Sequence, residues 1–366
     1  MAARPSHSVT SHDSSVTPGR ARVRDFSARA AARIEWDVRV AYDFLFSLHS
    51  EAGSTDDLPA DDRRWLSDAK AALTARVGGA LRHLEEVEPE IHVASLLIDR
   101  PDVQRAAQVV DTVGATSTTE LFQAIVADFS QERRVADLVE RHVGGKPGAL
   151  EELKIALPEW KPEYALLFED PNGVHARLLE VLHEWAGLFG PIEDRVRAIQ
   201  SRDHALRSRD RNALEPMDLI ETTTGGIRWL PEAGVRRVIL APSYFSRPYN
   251  ILLAGPDWRF FGYPVADEAV GAADPLAPPP GTVRLHRALG DDTRMRILKL
   301  LAGRDLYLTE IAQQLDLSKP TIKHHLALLR AAGLVTITEA GSVMYYTLRR
   351  SRLDDASGDL KRFLEA

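Results

Sequence analysis

Three features of the sequence predict an α+β protein built in two unequal parts. Apolar residues recur at spacings of three and four through most of the first 220 positions. Short β-branched and aromatic runs follow from about Gly225, and an Ala/Pro/Gly stretch then separates them from a series of capped helices ending in a hairpin. The expectation is a mainly helical N-terminal domain with a small antiparallel sheet, linked to a C-terminal helical module.

The elements can be justified in order. "MAARPSHSVTSHDSSVTPGRARVRD" is rich in Ser, Thr, Pro and Gly and has no apolar segment behind its arginines. It is neither a secretory signal nor a segment that can bury enough surface to offset ordering entropy, so residues 1–25 read as a disordered tail. In "FSARAAARIEWDVRVAYDFLFSLHSE", Ile34, Val38, Ala41, Leu45 and Leu48 form one helical stripe. "GSTDDLPADD" is a loop, and "DDRRWLSDAKAALTARVGGALRHLEEV" returns to helical spacing. One or two helices span "TSTTELFQAIVADFSQERRVADLVERHVGG" and stop at Gly144 and Gly145. Two more lie in "GVHARLLEVLHEWAGLFG" and "PIEDRVRAIQSRDHALRSRD". The strands are "VRRVILAPS", "YNILLAG" and "WRFFGYPV". With "VGAADPLAPPPG" as linker, the divisions are a helical and β domain over 26–270, a linker over 271–281, a C-terminal module over 282–350, and a tail or short helix over 351–366.

Composition excludes several classes of function. The chain has 366 residues, 44% hydrophobic and 27% charged, with no run apolar enough for a membrane span. It has no cysteine, which removes disulfides, thiolate metal sites and a cysteine nucleophile and is compatible with the cytoplasm. The net charge of −7 would argue against a nucleic-acid partner were it evenly spread. Residues 281–350, however, hold 11 Lys and Arg against 6 Asp and Glu, a surplus of five positive charges on an acidic chain. The local field matters more than the total.

The C-terminal module is the most legible part. "VRLHRALGDDTRMRILKLLAGRD" gives a short helix ending at Gly290, then a second helix capped by Asp291 or Asp292 with Met295, Ile297, Leu298, Leu300 and Leu301 inward. Thr309 caps "EIAQQLDL", and Asp316 and Leu317 make a tight turn. Ser318 caps the next helix, Pro320 sits in its first turn, Ile322, Leu326 and Leu329 share a face, and Gly333 ends it. Helix, short turn and capped helix is the geometry that carries the second helix into a DNA major groove. "LVTITEAGSVMYYTL" then alternates as a hairpin around Ala340, Gly341 and Ser342, the wing of a winged helix-turn-helix.

Together "ALGDDTRMRILKLL", "LTEIAQQLDLSKPTIKHHLALLRAAGLV" and "GSVMYYTL" resemble the winged-helix domain of ArsR-type bacterial transcriptional repressors over residues 285–348. On "VRRVILAPSYFSRPYN", the first 280 residues are similar to a poorly characterised domain preceding such winged helices in larger bacterial regulators. The resemblance implies repression. It does not imply metal sensing, because the family's cysteine site is replaced by "DLYLTEI" and its last-helix site by the histidine-free "DDASGDLKRFLEA".

The candidate DNA-binding residues are Ser318, Lys319, Thr321, Lys323, His324, His325, Arg330 and Arg349, with Arg350 beside the last. Cations and hydroxyls on this helix can meet phosphates or base edges, whereas the bland reading is a solvated helix face. His325 is open between a structural hydrogen bond and a phosphate contact. Adjacent histidines on a helix diverge by about a third of a turn and so do not suit one metal ion. Enzyme signals fail individually: "HEWAG" at His183 has Gly187 where a second histidine belongs, "HVGGKPG" lacks phosphate-loop spacing, and Ser243 lacks the glycines of a nucleophile elbow. Tyr244, Phe245, Trp258, Phe260, Phe261 and Tyr263 read as core, or else as a ligand pocket or subunit interface.

The expected function is a non-enzymatic transcriptional regulator, a repressor acting as a homodimer on double-stranded DNA. Helix 318–332 would enter the major groove, and wing 335–348 would lie on the backbone or minor groove. No catalytic residue, metal or cofactor is expected, and an effector would be a small molecule of unknown site. The alternative is a small-molecule-binding protein or enzyme whose winged helix mediates protein association.

Overall fold

The computed structural model describes residues 32–54, 57–85, 87–127, 130, 132–157, 160, 164–271, 278–340 and 343–365. The expected tail over 1–25, most of the linker (272–277) and the wing turn at Gly341 and Ser342 lie outside the described residues.

The strands are β1 (Arg33–Trp36), β2 (Ile227–Trp229), β3 (Arg237–Ser243), β4 (Ile251–Ala254), β5 (Trp258–Pro264), β6 (Leu306–Tyr307), β7 (Val335–Ala340) and β8 (Val343–Leu348). They form two four-stranded sheets, in the orders β1-β3-β5-β4 and β2-β7-β8-β6. The first sheet corrects the expected antiparallel arrangement. β1 and β5 both run parallel to β3, with Ile34 beside Val238 and Leu240 beside Phe261; only the β4–β5 pair is antiparallel. The reason is the path of the chain. Residues 244–250 carry it past the place beside β3, and a tight turn at 255–257 brings β5 back between β4 and β3. β5 is almost wholly buried, as a strand covered on both faces must be.

β1 also departs from the helix expected across residues 26–51. The helix starts only at Val40, and Arg33–Trp36 is extended because it pairs with β3. Elsewhere the helical reading holds. Thr74 caps Ala75–Leu84 after Ala60–Ala72, and Thr118–Ala127 and Arg133–Val143 are separate helices, the second stopping at Gly144. The two stretches expected around Gly190 are one 36-residue helix, Pro171–Leu206, that runs through Pro191. Its buried stripe, including Leu178, Leu182, Trp185 and Phe189, packs on Phe44 and Phe245 to form the main core. No described helix is long and apolar enough to cross a membrane.

Glu90, in the first turn of helix Pro89–Leu97, is buried at 3% exposure. Burial pushes its carboxyl up to about 7, against a pull from its own backbone N–H and with further upward push from Glu88. The folded protein therefore holds a proton that the unfolded chain releases above about 4.5. Stability from this group is present below that pH and is lost as pH rises toward 7. Glu90→Gln is expected to stabilise the protein at pH 8 by up to about 3 kcal/mol. Thermal melts at pH 8 and pH 4.5 check this, since the gain should vanish at the lower pH.

Candidate nucleic-acid interface

The C-terminal module folds around its own core, in which Leu285, Ile297, Leu306, Ile311, Ile322, Leu326, Leu329, Leu334 and Val335 are buried. Asp291 caps helix Asp292–Leu301 by accepting from the Arg294 N–H at 2.8 Å. The next helix, Leu308–Leu315, begins one residue before the expected Thr309 cap, and Glu310 reaches back to accept from Tyr307 N–H at 2.8 Å. Asp316, at φ 55°, takes the left-handed conformation that turns the chain. Ser318 then caps helix Lys319–Ala331: its Oγ accepts from Thr321 N–H at 3.2 Å, and Pro320 occupies the first turn. Gly333, at φ 74°, ends it and leads into the antiparallel β7–β8 hairpin.

Within this frame Ser318, Lys319, Thr321, Lys323 and His324 are exposed on the second helix, and Arg349 is exposed after the wing. Arg350 is tied down, donating from Nη2 to the Ala302 carbonyl at 2.8 Å. The His324 and His325 rings lie 6.0 Å apart, inclined at 65°. His325 is half-buried, with Nδ1 3.8 Å from Asp291 Oδ1 and no hydrogen bond to that nitrogen. Burial, with help from Arg294 and His324, lowers its pKa despite Asp291, which favours the neutral ring near pH 7. Its place is against the start of helix Asp292–Leu301.

Arg330 departs most from its expected role. It is only 9% exposed, and its Nη1 donates to Asn250 Oδ1 at 2.7 Å. That placement turns it toward the N-terminal body and away from any phosphate. Burial lowers its pKa to about 10, so it stays charged near neutrality.

Two features went unseen in the sequence. β2 pairs parallel with β7, Ile227 beside Ile337, so a strand of the N-terminal region extends the wing sheet. Gly226, at φ 125°, allows this: its carbonyl accepts from Ile337 N–H at 2.8 Å, and a Cβ there would lie 3.3 Å from Thr336 Cγ2 and the Val335 carbonyl oxygen. The "TTTGG" signal marks a helix stop but cannot say which strand comes next. The second feature is a cleft of about 400 Å³ between the recognition helix and the body, with Lys323, His324 and Arg330 on one wall and Glu51, Glu88 and Tyr249 on the other.

Comparison with known proteins falls on this module. Residues 291–336 match the family described as bacterial regulatory protein, arsR family. The chain is 36% identical over 80 residues to the transcriptional repressor SdpR of Bacillus subtilis, covering 22% of this chain and 89% of that protein. It is 42% identical over 77 residues to the HTH-type transcriptional regulator CmtR of Mycobacterium tuberculosis, covering 21% of this chain and 65% of that protein. With the arsenic resistance transcriptional regulator ArsR1 of Pseudomonas putida it shares 41% over 65 residues, 18% of this chain and 51% of that protein. All of these similarities fall on about a fifth of the chain, so they speak for the winged helix and not for the helical body. The helices capped by Asp291 and Ser318 and the turn at Asp316 lie within the matched residues, and the chain belongs to the ArsR family of bacterial regulatory proteins.

Proposed function

We propose that this chain is a DNA-binding transcriptional repressor with its reading module at residues 282–350 and a regulatory body at 26–270. The observation that carries the reading is the Ser318-capped helix, whose exposed Lys319, Thr321, Lys323 and His324 stand beside the wing on a net-positive segment. Such a helix presents donors to guanine edges and to phosphates, and a Thr methyl to thymine. SdpR, similar over nearly its whole length, is named a transcriptional repressor, which favours repression over activation.

In the described arrangement part of this face lines the cleft with the body. A cleft of about 400 Å³ suits a small molecule, whereas a major groove is about 12 Å wide with phosphates on both sides. The arrangement is therefore that of the DNA-free protein, and operator binding requires the body to part from the helix. Selection of fragments from random DNA with the full chain tests the reading. A palindromic site with half-sites about 34 Å apart is expected, and no enrichment at low salt would favour the protein-association alternative.

Two-fold DNA sites call for a two-fold protein. The final helix, Arg350–Glu365, supports a homodimer: Leu353, Leu360 and Leu364 are exposed at spacings of seven and four, Leu364 at 72%. A stripe of exposed leucines on one helix is costly unless a partner covers it. Leu360→Lys with Leu364→Lys is expected to convert the dimer to a monomer in sedimentation velocity and to weaken operator binding at least tenfold. A dimer unchanged at micromolar concentration would rule out this surface.

A further inference from the structure

Arg330 is an unusual buried cation. Its guanidinium has five N–H donors, yet Asn250 Oδ1, a neutral acceptor, is its one hydrogen-bond partner among the described residues, and no carboxylate there pairs with it. Asn250 Nδ2 donates to the Thr224 carbonyl at 3.2 Å, which fixes the amide with Oδ1 toward the guanidinium, but that oxygen carries no charge to balance it. Its other charged-capable neighbours are the hydroxyls of Tyr249 and Tyr346. Arginines at buried sites in this protein otherwise meet acids: Arg39 meets Asp37, Arg247 meets Asp267, and Arg259 meets Glu232 at 2.6 Å. A buried charge without a counter-charge is expensive.

The open space beside it supplies the missing part. Arg330 lines the cleft together with Lys323 and His324 of the same helix. On the opposite wall Glu88 is already matched, accepting from Ser50 Oγ at 2.7 Å and lying 3.1 Å from His49 Nε2. Pro320, Ala327 and Ile251 give the cleft apolar surface as well, backed by the buried rings of Phe46 and Phe245. A wall with three basic side chains, one acid spent on a histidine, a second acid, Glu51, exposed to solvent, and apolar side chains between them fit one class of ligand.

We propose that the cleft binds a small organic oxyanion, a carboxylate or phosphate monoester on an apolar body, anchored by Arg330 with Lys323 and His324 alongside. The ligand touches both the body and the recognition helix, so it stabilises the arrangement in which they are together. Linkage then requires that it weaken operator binding by the same factor by which DNA weakens its own binding. The anion is thus an inducer, a consequence that rests on the repressor reading above; the binding site itself does not.

The test begins without DNA. The full chain is titrated calorimetrically with benzoate and phenyl phosphate, which separate the two anion sources, and with benzyl alcohol as an uncharged control. Binding of at least one anion, and none of the alcohol at the same concentrations, is expected. Arg330→Gln should abolish it. Because that change could also disturb folding, Ala327→Glu is the second variant: one helical turn before Arg330 and on the same cleft wall, it tethers a carboxylate where the ligand's would sit. It should weaken anion binding at least tenfold with an unchanged circular dichroism spectrum. Failure of both anions to bind the wild type, equal binding of benzyl alcohol, or full anion binding by Ala327→Glu overturns the proposal. A selected operator fragment is then added, and the binding anion should lower operator affinity about tenfold or more. Anion binding with no DNA binding would defeat the repressor reading and leave the site standing.

Discussion

Lys323→Ala combined with His324→Ala should reduce operator affinity by ~100-fold or more in a gel-shift titration, while the melting temperature stays close to wild type. The magnitude follows from the loss of two contacts per protomer, each worth roughly 1–3 kcal/mol of base discrimination or its equivalent in phosphate binding. The thermal result follows from placement. Both side chains are exposed, whereas Ile322, Leu326 and Leu329 on the same helix form the core contact and remain untouched. Salt separates the two kinds of contact. If Lys323 meets phosphate, the double variant also shows a shallower slope of log affinity against log salt, by about one counterion per lost phosphate contact. Unchanged operator affinity would remove this face from DNA recognition.

Asp43→Ala should lower unfolding stability by about 3–5 kcal/mol in urea titrations. Asp43 is fully buried in helix Val40–Phe46 and gathers four donors from distant parts of the chain. Ser243 Oγ donates at 2.6 Å, Phe245 N–H at 2.9 Å, Gln200 Nε2 at 2.8 Å, and Tyr244 N–H reaches both oxygens at 2.8 and 2.9 Å. Alanine leaves the Ser243 hydroxyl and the Tyr244 and Phe245 N–H groups buried without this acceptor, which is the expensive way to lose a hydrogen bond, while Gln200 Nε2 keeps the Pro242 carbonyl at 3.0 Å. The effect reaches the interface as well. The carboxylate holds the turn that follows β3, and that turn continues into Ser246, Tyr249 and Asn250 on the cleft wall. A loss below about 1 kcal/mol would show that water replaces the carboxylate and that the turn is held by its packing.

The parts of this protein that were legible in its sequence are those set by neighbours in the chain. The caps at Asp291 and Ser318, the turn at Asp316, the stop at Gly333 and the apolar stripe Ile322, Leu326, Leu329 are all local, and each was found where expected. What could not be read depends on distant partners. Ile34 fits a helical stripe with Val38 and Ala41 as well as a strand's alternation with Trp36, and the pairing of Ile34 and Trp36 with Val238 and Leu240 across some 200 residues decides the matter. The parallel direction of β5 depends on a path through residues 244–257 that no periodicity encodes. Arg330 lies next to Leu329 in a stretch that reads as a DNA-contacting helix, and only Asn250, 80 residues earlier, explains why it turns inward. Lys319, Thr321, Lys323 and His324 needed no such partner, since exposure on a capped amphipathic helix is a local property.

The proposed competition between the body and DNA for one helix face can be measured directly, helped by the absence of native cysteines. Spin labels attached through Glu51→Cys on the body and Gln313→Cys on helix Leu308–Leu315 report the distance between the body and the reading module by pulsed electron resonance. The DNA-free protein should give one short distance, and saturating operator DNA should replace it with a longer one. A single unchanged distance in protein that is fully bound to operator would contradict the opening of this cleft as the step that frees the Lys323 and His324 face from the body.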